Sequence, residues 1–191
     1  MAAKKAVKKA VRKAAPKKAP TKRPTRARFE LWSSDIKLNG PMAMEQVFNG
    51  FGCQGRNLSP TMAWSDAPEG TKSFALLCHD PDAPTGGAGW WHWLVVNIPA
   101  DATGLAKDAG NADGSKLPAG AVHVTTDFGG PGWGGPCPPV GHGAHRYVFT
   151  LYALKVDRLD VSGAGASLVG YMVNGNAIGK SVLTGKFGRK A

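Results

Sequence analysis

No long apolar segment occurs in the 191-residue sequence. The most apolar stretch, Trp90 to Ile98, is interrupted by His92 and Asn97 and is much shorter than the roughly 20 apolar residues of a transmembrane helix. The first 28 residues also lack the apolar run of about 7–15 residues that a secretory signal needs, and the serines that are common in mitochondrial presequences. The sequence therefore predicts neither a membrane span nor a targeting segment.

Cysteine is scarce as well. The three cysteines, Cys53, Cys78 and Cys137, are an odd number in a sequence without a signal peptide, which favours free thiols in a reducing compartment. We therefore predict a cytoplasmic protein. Cys53 and Cys78 are interpreted as small apolar residues, and Cys137, which lies between two prolines, as part of a rigid loop.

Several enzyme motifs are absent, namely the Gly-x-Ser-x-Gly elbow, the Walker loop and the dinucleotide fingerprint. We therefore predict a protein that is not an enzyme and has no cofactor or metal. Two alternatives stay open. His142-x-x-His145 with Cys137, or His92 with Asp80, could ligate a metal, although the spacing matches no structural zinc pattern. Cys137 beside either neighbouring histidine could form the thiol–imidazole pair of a hydrolase.

Acidic residues are missing from residues 1–28, which hold 12 of the 24 lysines and arginines. Residues 29–191 carry 12 basic and 13 acidic residues, a net charge of −1. Since the first segment is rich in lysine, alanine and proline and lacks aromatic residues, it is predicted to be a disordered basic tail. Such a tail binds nucleic acid by counterion release without reading sequence, which predicts nucleoid association. Anionic membrane surfaces and a purely solubilising role are the alternatives.

Residues 29–191 have the composition of one folded domain. The 26 glycines and 14 prolines of the chain argue against a helical bundle. One helix is expected, near residues 166–173. Both faces of the apolar run in 146–155 are expected to be buried. Strands are expected at residues 29–32, 73–79, 91–98, 121–126, 146–155 and 181–187. The pattern predicts a mainly β fold, an antiparallel β-sandwich with one or two peripheral helices, preceded by the disordered basic tail.

Two segments differ from ordinary strand connections. The first, residues 79–93, reads HDPDAPTGGAGWWHW and lies between two expected core strands. The second, residues 129–147, reads GGPGWGGPCPPVGHGAHRY, and glycine and proline fill 11 of the 15 positions from 129 to 143. Long loops of this kind are typical of binding sites, because glycine allows close backbone approach to a ligand.

The motifs within these segments resemble those of the phosphatidylethanolamine-binding protein family, in particular its bacterial branch, which is described as Raf kinase inhibitor-like. DPDAP at 80–84, WHWLVVN at 91–97 and GPCPPVGHGAHRY at 135–147 carry the likeness. The segments 57–77 and 125–135 also resemble the family, so the likeness covers essentially all of residues 29–191.

The resemblance implies a β-sandwich with a small pocket for phosphate-type or phosphoethanolamine-like head groups. It also implies a cis peptide between Ala83 and Pro84. A non-enzymatic binding module follows as the predicted function, and inhibition of a kinase or protease through protein–protein contact is the alternative. Carried over by motif, the ligand-binding residues would be Asp80, Asp82, His92, Pro138, Pro139, His145 and Tyr147.

The chemistry of these residues suits an anion. Imidazole N–H and tyrosine hydroxyl groups donate to phosphate oxygens, and the two aspartates would orient the imidazoles. Arg146 alternates in direction with its neighbours along the expected strand, so we expect it to face away from the pocket and to pair with Asp82. The alternative without a binding role is that the two aspartates only form turns and that His92 is a histidine of the core.

Overall fold

The computed structural model describes residues 28–190, so the disordered tail predicted for residues 1–28 lies outside the described residues except for Arg28. The described chain forms ten strands and one helix. These are β1 (Glu30–Trp32), β2 (Asn49–Gly50), β3 (Cys53–Gln54), β4 (Met62–Ser65), β5 (Ser73–Asp80), β6 (Trp90–Pro99), β7 (Gly104–Leu105), β8 (Val122–His123), β9 (Gly143–Leu154), α1 (Ala166–Asn176) and β10 (Ala177–Arg189).

A five-stranded antiparallel sheet in the order β10-β9-β5-β6-β8 forms the centre of the fold. A three-stranded antiparallel sheet, β1-β4-β7, and the short β2-β3 pair complete the strands. The mainly β, antiparallel fold class is confirmed. β5 and β6 follow apolar, β-branched and aromatic runs of the sequence, as expected for strands that pack on both sides.

The two faces of the central sheet have different neighbours. Trp93 and Phe149 on one face belong to the same buried cluster as Leu31 and Trp64 of the smaller sheet. Leu94 on the other face packs with buried residues of α1. Both faces of β6 are therefore buried, which explains its almost uninterrupted apolar sequence.

Several elements differ from expectation, and the short strands β2, β3, β4 and β7 were not expected. Of the strand expected at 121–126, only β8 forms. The helix continues to Asn176 and leads directly into β10, which is longer than expected. On the second face of β9, Val148, Thr150 and Tyr152 are only half-buried, so the prediction that both faces of this strand are buried is only partly correct.

Cys53 and Cys137 form a disulfide across 84 residues of sequence, so the prediction of free thiols is wrong for this pair. The reason is that the loop before β9 passes directly against β3, a contact that sequence spacing does not reveal. Cys78 is free and buried, as expected for a small apolar residue. No cis peptide occurs within residues 28–190, so the cis bond that the resemblance implied between Ala83 and Pro84 is also wrong.

The outer edge of β10 is covered by an irregular segment, residues 39–42. The backbone N–H groups of Asn39 and Met42 donate to the carbonyls of Thr184 and Lys186, and the N–H of Lys186 donates to the carbonyl of Gly40. These bonds have lengths of 2.7–2.8 Å. Backbone groups in this part of the edge strand are therefore paired.

Candidate functional site

A cavity of about 310 Å³ lies at one end of the central sheet. It forms where β5 ends at Asp80 and where β6 and β9 begin, because antiparallel pairing brings these three strand ends together. Trp90 and His92 are two residues apart on β6, and so are His145 and Tyr147 on β9. Each pair therefore lies on one face of its strand, and all four residues line the cavity.

Six of the seven residues predicted from the motifs line this cavity: Asp80, His92, Pro138, Pro139, His145 and Tyr147. Asp82 does not line it, and its role in ligand binding stays a prediction. Its carboxylate accepts bonds of 2.7 and 2.9 Å from the Arg146 side chain and one of 2.9 Å from the Arg146 backbone N–H. The guanidinium lowers the pKa of Asp82 to about 2. The pairing predicted between these two residues is confirmed, and it ties the loop after β5 to β9.

Asp80 is the buried anchor of the site. Its Oδ2 lies 2.7 Å from Nδ1 of His145, and its Oδ1 accepts the backbone N–H of Asp82 at 2.8 Å. Nε2 of His145 is in turn 3.1 Å from Nδ1 of His142, an exposed residue of the preceding loop. Both ring nitrogens of His145 are therefore engaged, and its orientation is fixed by residues of two strands and a loop.

His92 presents an acceptor, not the donor expected from the sequence. Its Nδ1 lies 2.5 Å from the carbonyl of Gly134, so this nitrogen donates and carries the proton of the neutral ring. Burial lowers the pKa of His92 to about 4. The ring is therefore neutral near pH 7, and Nε2 has an unshared electron pair. His92 is one of the residues that line the cavity.

Two of the lining residues carry a buried donor without a protein acceptor. The hydroxyl of Tyr147, a fully buried residue, and Nε1 of Trp90 have no hydrogen-bond partner among the described residues. Burial, followed by the nearby charge of Asp80, raises the pKa of Tyr147, so the hydroxyl keeps its proton. Buried donors in folded proteins are nearly always satisfied. These two donors therefore need an acceptor that no described residue supplies.

Aromatic residues that the sequence reasoning missed form much of the remaining wall. Phe128 lies with its ring centroid 5.6 Å from that of Trp90 and 5.3 Å from that of His92. Phe51, which is 70% exposed and has φ of 52°, stacks on Phe128 at 6.0 Å. Trp90 could have been found, since it is two residues before His92, whereas no local signal identifies Phe51.

The outer wall is held by two tethers between the β2-β3 turn and the loop before β9. One is the disulfide, whose Cys137 lines the cavity. The other is Arg189, which donates to the carbonyls of Gly52 at 3.1 Å and Pro138 at 3.4 Å. Because Cys137 is oxidised, it has no thiol for the thiol–imidazole pair considered above.

Neither of the metal sites considered from the sequence is matched by a group of ligands in residues 28–190. Across residues 28–190, no three histidine, cysteine, aspartate or glutamate side chains are grouped so as to hold a metal ion.

Residues 28–190 contain no helix that is long and apolar enough to span a membrane.

Known proteins with similar sequences account for this arrangement. Residues 32–188 match the family model described as phosphatidylethanolamine-binding protein. The chain belongs to this family. Two relatives within the phosphatidylethanolamine-binding protein family are from Escherichia coli K12. The UPF0098 protein YbcL is 52% identical over 159 residues, 83% of this chain and 86% of its own length. YbhB is 44% identical over 83% of this chain and 99% of its own length.

Solved structures of the family agree with the fold. The crystal structure of E. coli YbcL, described as a new member of the mammalian PEBP family, has a TM-score of 0.82 and 50% sequence identity, and covers 85% of this chain and 99% of that chain. A phosphatidylethanolamine-binding protein homolog from Chlamydia trachomatis has a TM-score of 0.71 and 29% identity, and covers 84% of this chain and 97% of that chain.

Proposed function

We propose that the chain is a non-enzymatic binding module whose cavity takes a phosphate-type group, as found in phosphoethanolamine and related head groups. The observation that carries this proposal is that the cavity is lined by six motif residues and that two lining residues, Tyr147 and Trp90, have a buried donor without a protein acceptor. Phosphoryl oxygens are strong acceptors and would satisfy both donors. Membership of the phosphatidylethanolamine-binding protein family supports the same ligand class.

The walls of the cavity suit a ligand that has a small polar group attached to a less polar part. Phe51, Phe128 and Pro138 surround the polar residues, and no lysine or arginine lines the cavity. Anion binding here depends on neutral donors and on shape, so we expect modest affinity. Arg146 adds no free positive charge, since its guanidinium is paired with Asp82.

Calorimetry with O-phosphoethanolamine tests the proposal. Tyr147→Phe removes one donor and adds no volume, and we expect it to weaken binding by about tenfold, the effect of losing roughly 1.4 kcal/mol. Tyr152→Phe is the matched control, because this half-buried tyrosine of β9 does not line the cavity. Absence of binding to the unaltered protein, or equal binding by all three proteins, would contradict the proposal.

The basic tail supports a second proposal, contact with nucleic acid. Residues 1–28 hold 12 basic and no acidic residues, whereas the remainder has a net charge of −1. Fluorescence anisotropy with labelled duplex DNA compares the full chain with a chain lacking residues 1–28. We expect only the full chain to bind, without sequence preference and with affinity that falls steeply as salt rises. Equal affinity of both chains would overturn this proposal.

The disulfide bears on the cellular compartment in which the protein is expected. The cytoplasmic prediction depended on free thiols, and a disulfide between Cys53 and Cys137 is typical of oxidising compartments. Cytoplasmic and nucleoid location stay predictions, which cell fractionation followed by immunoblotting tests. Inhibition of a kinase or protease also stays a prediction.

A further inference from the structure

We propose that the groove between β1 and the outer edge of β10 binds an extended, acidic segment of a partner protein, which adds a strand to the central sheet beside Lys180 and Val182. The groove has a volume of about 660 Å³. It shares no lining residue with the cavity at the end of the sheet. The proposal is therefore independent of the ligand proposed for that cavity.

Backbone groups of β10 are left unpaired along part of its outer edge. β10 is bonded to a neighbouring strand, β9, on one side only. The N–H of Lys186 and the C=O of Thr184 point away from β9, since both bond to the segment 39–42. Pairing with β9 is regular from Lys180 to Lys186, and groups two residues apart in a strand point the same way. The N–H and C=O groups of Lys180 and Val182 therefore also point outward.

These outward groups form a template for strand addition. Among residues 28–190, the backbone groups of Lys180 and Val182 have no partner on their outer side, and both residues are exposed. An extended peptide adds to such an edge, and its main-chain hydrogen bonds supply affinity. The open edge ends where the segment 39–42 begins to cover β10, so it accepts only a short segment.

Exposed apolar side chains flank the open edge. Trp32 is 43% exposed, Leu38 67% and Val182 46%, and all three line the groove. Successive side chains of a strand point to opposite sides, so one row of an added strand lies against apolar residues while the other row stays in water. A partner segment in which apolar and polar residues alternate fits this arrangement, because burial of the apolar row adds to the main-chain bonds.

The charge of the groove selects an acidic partner. Arg28, Lys37 and Lys180 line it together with one acidic residue, Glu30, which gives a net charge of +2. None of these four residues forms an ion pair within the part of the chain that the structure describes. Acidic side chains of a partner would pair with the excess positive charge. The 12 basic residues among the first 28 attract the same partner from a greater distance.

The same charge argues against three other occupants. A second copy would bring its own Lys180 beside the first, and like charges on neighbouring strands are unfavourable. Residues 1–27 hold 11 basic and no acidic residues, so they would add positive charge to a positive groove. Duplex DNA is acidic but has no peptide groups to pair with a strand.

NMR of the ¹⁵N-labelled full chain tests the proposal, with the peptide acetyl-Glu-Val-Glu-Val-Glu-Val-amide as the probe. Titration to about 5 mM peptide detects complexes as weak as a Kd of about 1 mM. We expect the amide signals of Lys180 and Val182 to shift and their exchange with solvent to slow at least about fivefold, because both N–H groups become bonded. Exchange at Lys186, which already donates to Gly40, should stay unchanged.

Two altered peptides separate strand addition from attraction between charges. N-methylation of the two central residues removes one N–H on each edge of the peptide and keeps its charge, and it should weaken binding at least about fivefold. Lysine in place of every glutamate keeps the backbone and reverses the charge, and it should weaken binding at least about tenfold. Equal binding of the methylated peptide would contradict strand addition, and equal binding of the lysine peptide would contradict selection of an acidic partner.

Lys180→Glu tests the groove itself. It reverses one charge beside the open edge, and we expect it to weaken binding of the acidic peptide at least about fivefold. Lys186→Glu is the matched control, because it makes the same change on β10 where the segment 39–42 covers the edge, and it should bind normally. Both lysines are exposed, so both variants should fold. Equal effects of the two substitutions would show that the groove does not hold the peptide.

Three further results would overturn the proposal. One is the absence of any change at Lys180 and Val182 at about 5 mM acidic peptide. Another is slow exchange of both amides in the full chain without peptide, since the chain itself would then occupy the groove. The third is equal protection of these amides by duplex DNA, which cannot add a strand. Calorimetry with O-phosphoethanolamine tests the cavity separately, so either proposal can fail while the other stands.

Discussion

His145 on β9 and Asp80 at the end of β5 are joined by a buried hydrogen bond of 2.7 Å. Because the carboxylate also accepts the Asp82 N–H, it fixes both the histidine ring and the start of the following loop. We expect Asp80→Asn to lower the free energy of unfolding by about 1–3 kcal/mol, since one amide oxygen cannot replace two carboxylate oxygens. Urea unfolding measures the change, and O-phosphoethanolamine binding should weaken with it.

Asp82→Asn is the matched control for that prediction, because its carboxylate faces a partly exposed arginine outside the cavity. Such pairs contribute about 0–1 kcal/mol. A loss of stability for Asp82→Asn as large as that for Asp80→Asn would contradict the distinction between the two aspartates.

Stability should depend on pH through His92. Its pKa falls from an ordinary 6.5 to about 4 in the folded chain, so folding favours the neutral ring. This stabilisation is fully present above about pH 6.5 and is lost as the pH falls toward about 4. Its size is about 3 kcal/mol. Urea unfolding between about pH 7.5 and 4 should show a steeper loss for the unaltered protein than for His92→Asn; parallel curves would refute the assignment.

The disulfide between Cys53 and Cys137 should make the chain sensitive to reductant. Closing a loop of 84 residues stabilises a fold by about 4.5 kcal/mol in the chain-entropy description. Dithiothreitol should therefore lower the unfolding midpoint and weaken ligand binding, since Cys137 lines the cavity. Cys53→Ser should show both effects without reductant and no further change with it. Thiol titration of the unfolded, unreduced chain should find only Cys78; three thiols would contradict the pairing.

Two substitutions at Asn97 test what its side chain and its backbone conformation contribute to stability at the end of β6. It has φ of 59°, and its side chain forms two hydrogen bonds with the backbone of Leu159, at 3.1 and 2.7 Å. Asn97→Gly loses these bonds but accepts the backbone conformation, whereas Asn97→Ala is also strained. We expect both to be destabilised, with alanine about 1 kcal/mol worse than glycine. Equal urea midpoints for the two variants would show that backbone strain contributes nothing.

The sequence predicted the parts of the site that depend on local periodicity. Alternation along β9 placed His145 and Tyr147 together and Arg146 apart, and the structure agrees. It could not predict that the carbonyl of Gly134, far from His92 in sequence, accepts the hydrogen bond from Nδ1–H of His92. The disulfide was missed for the same reason, because both contacts depend on how a glycine-rich loop crosses the end of the sheet.

Pairing of residues 39–42 with β10 has a consequence for behaviour at high concentration. An uncovered edge strand offers a row of free N–H and C=O groups on which a second molecule can add its own strand. Here Lys186 and Thr184 are already bonded to the irregular segment, and Lys186 places a charge beside it. The covering segment thus prevents a second molecule from adding a strand beside residues 184–186, so this part of the longest strand is protected from edge-to-edge self-assembly.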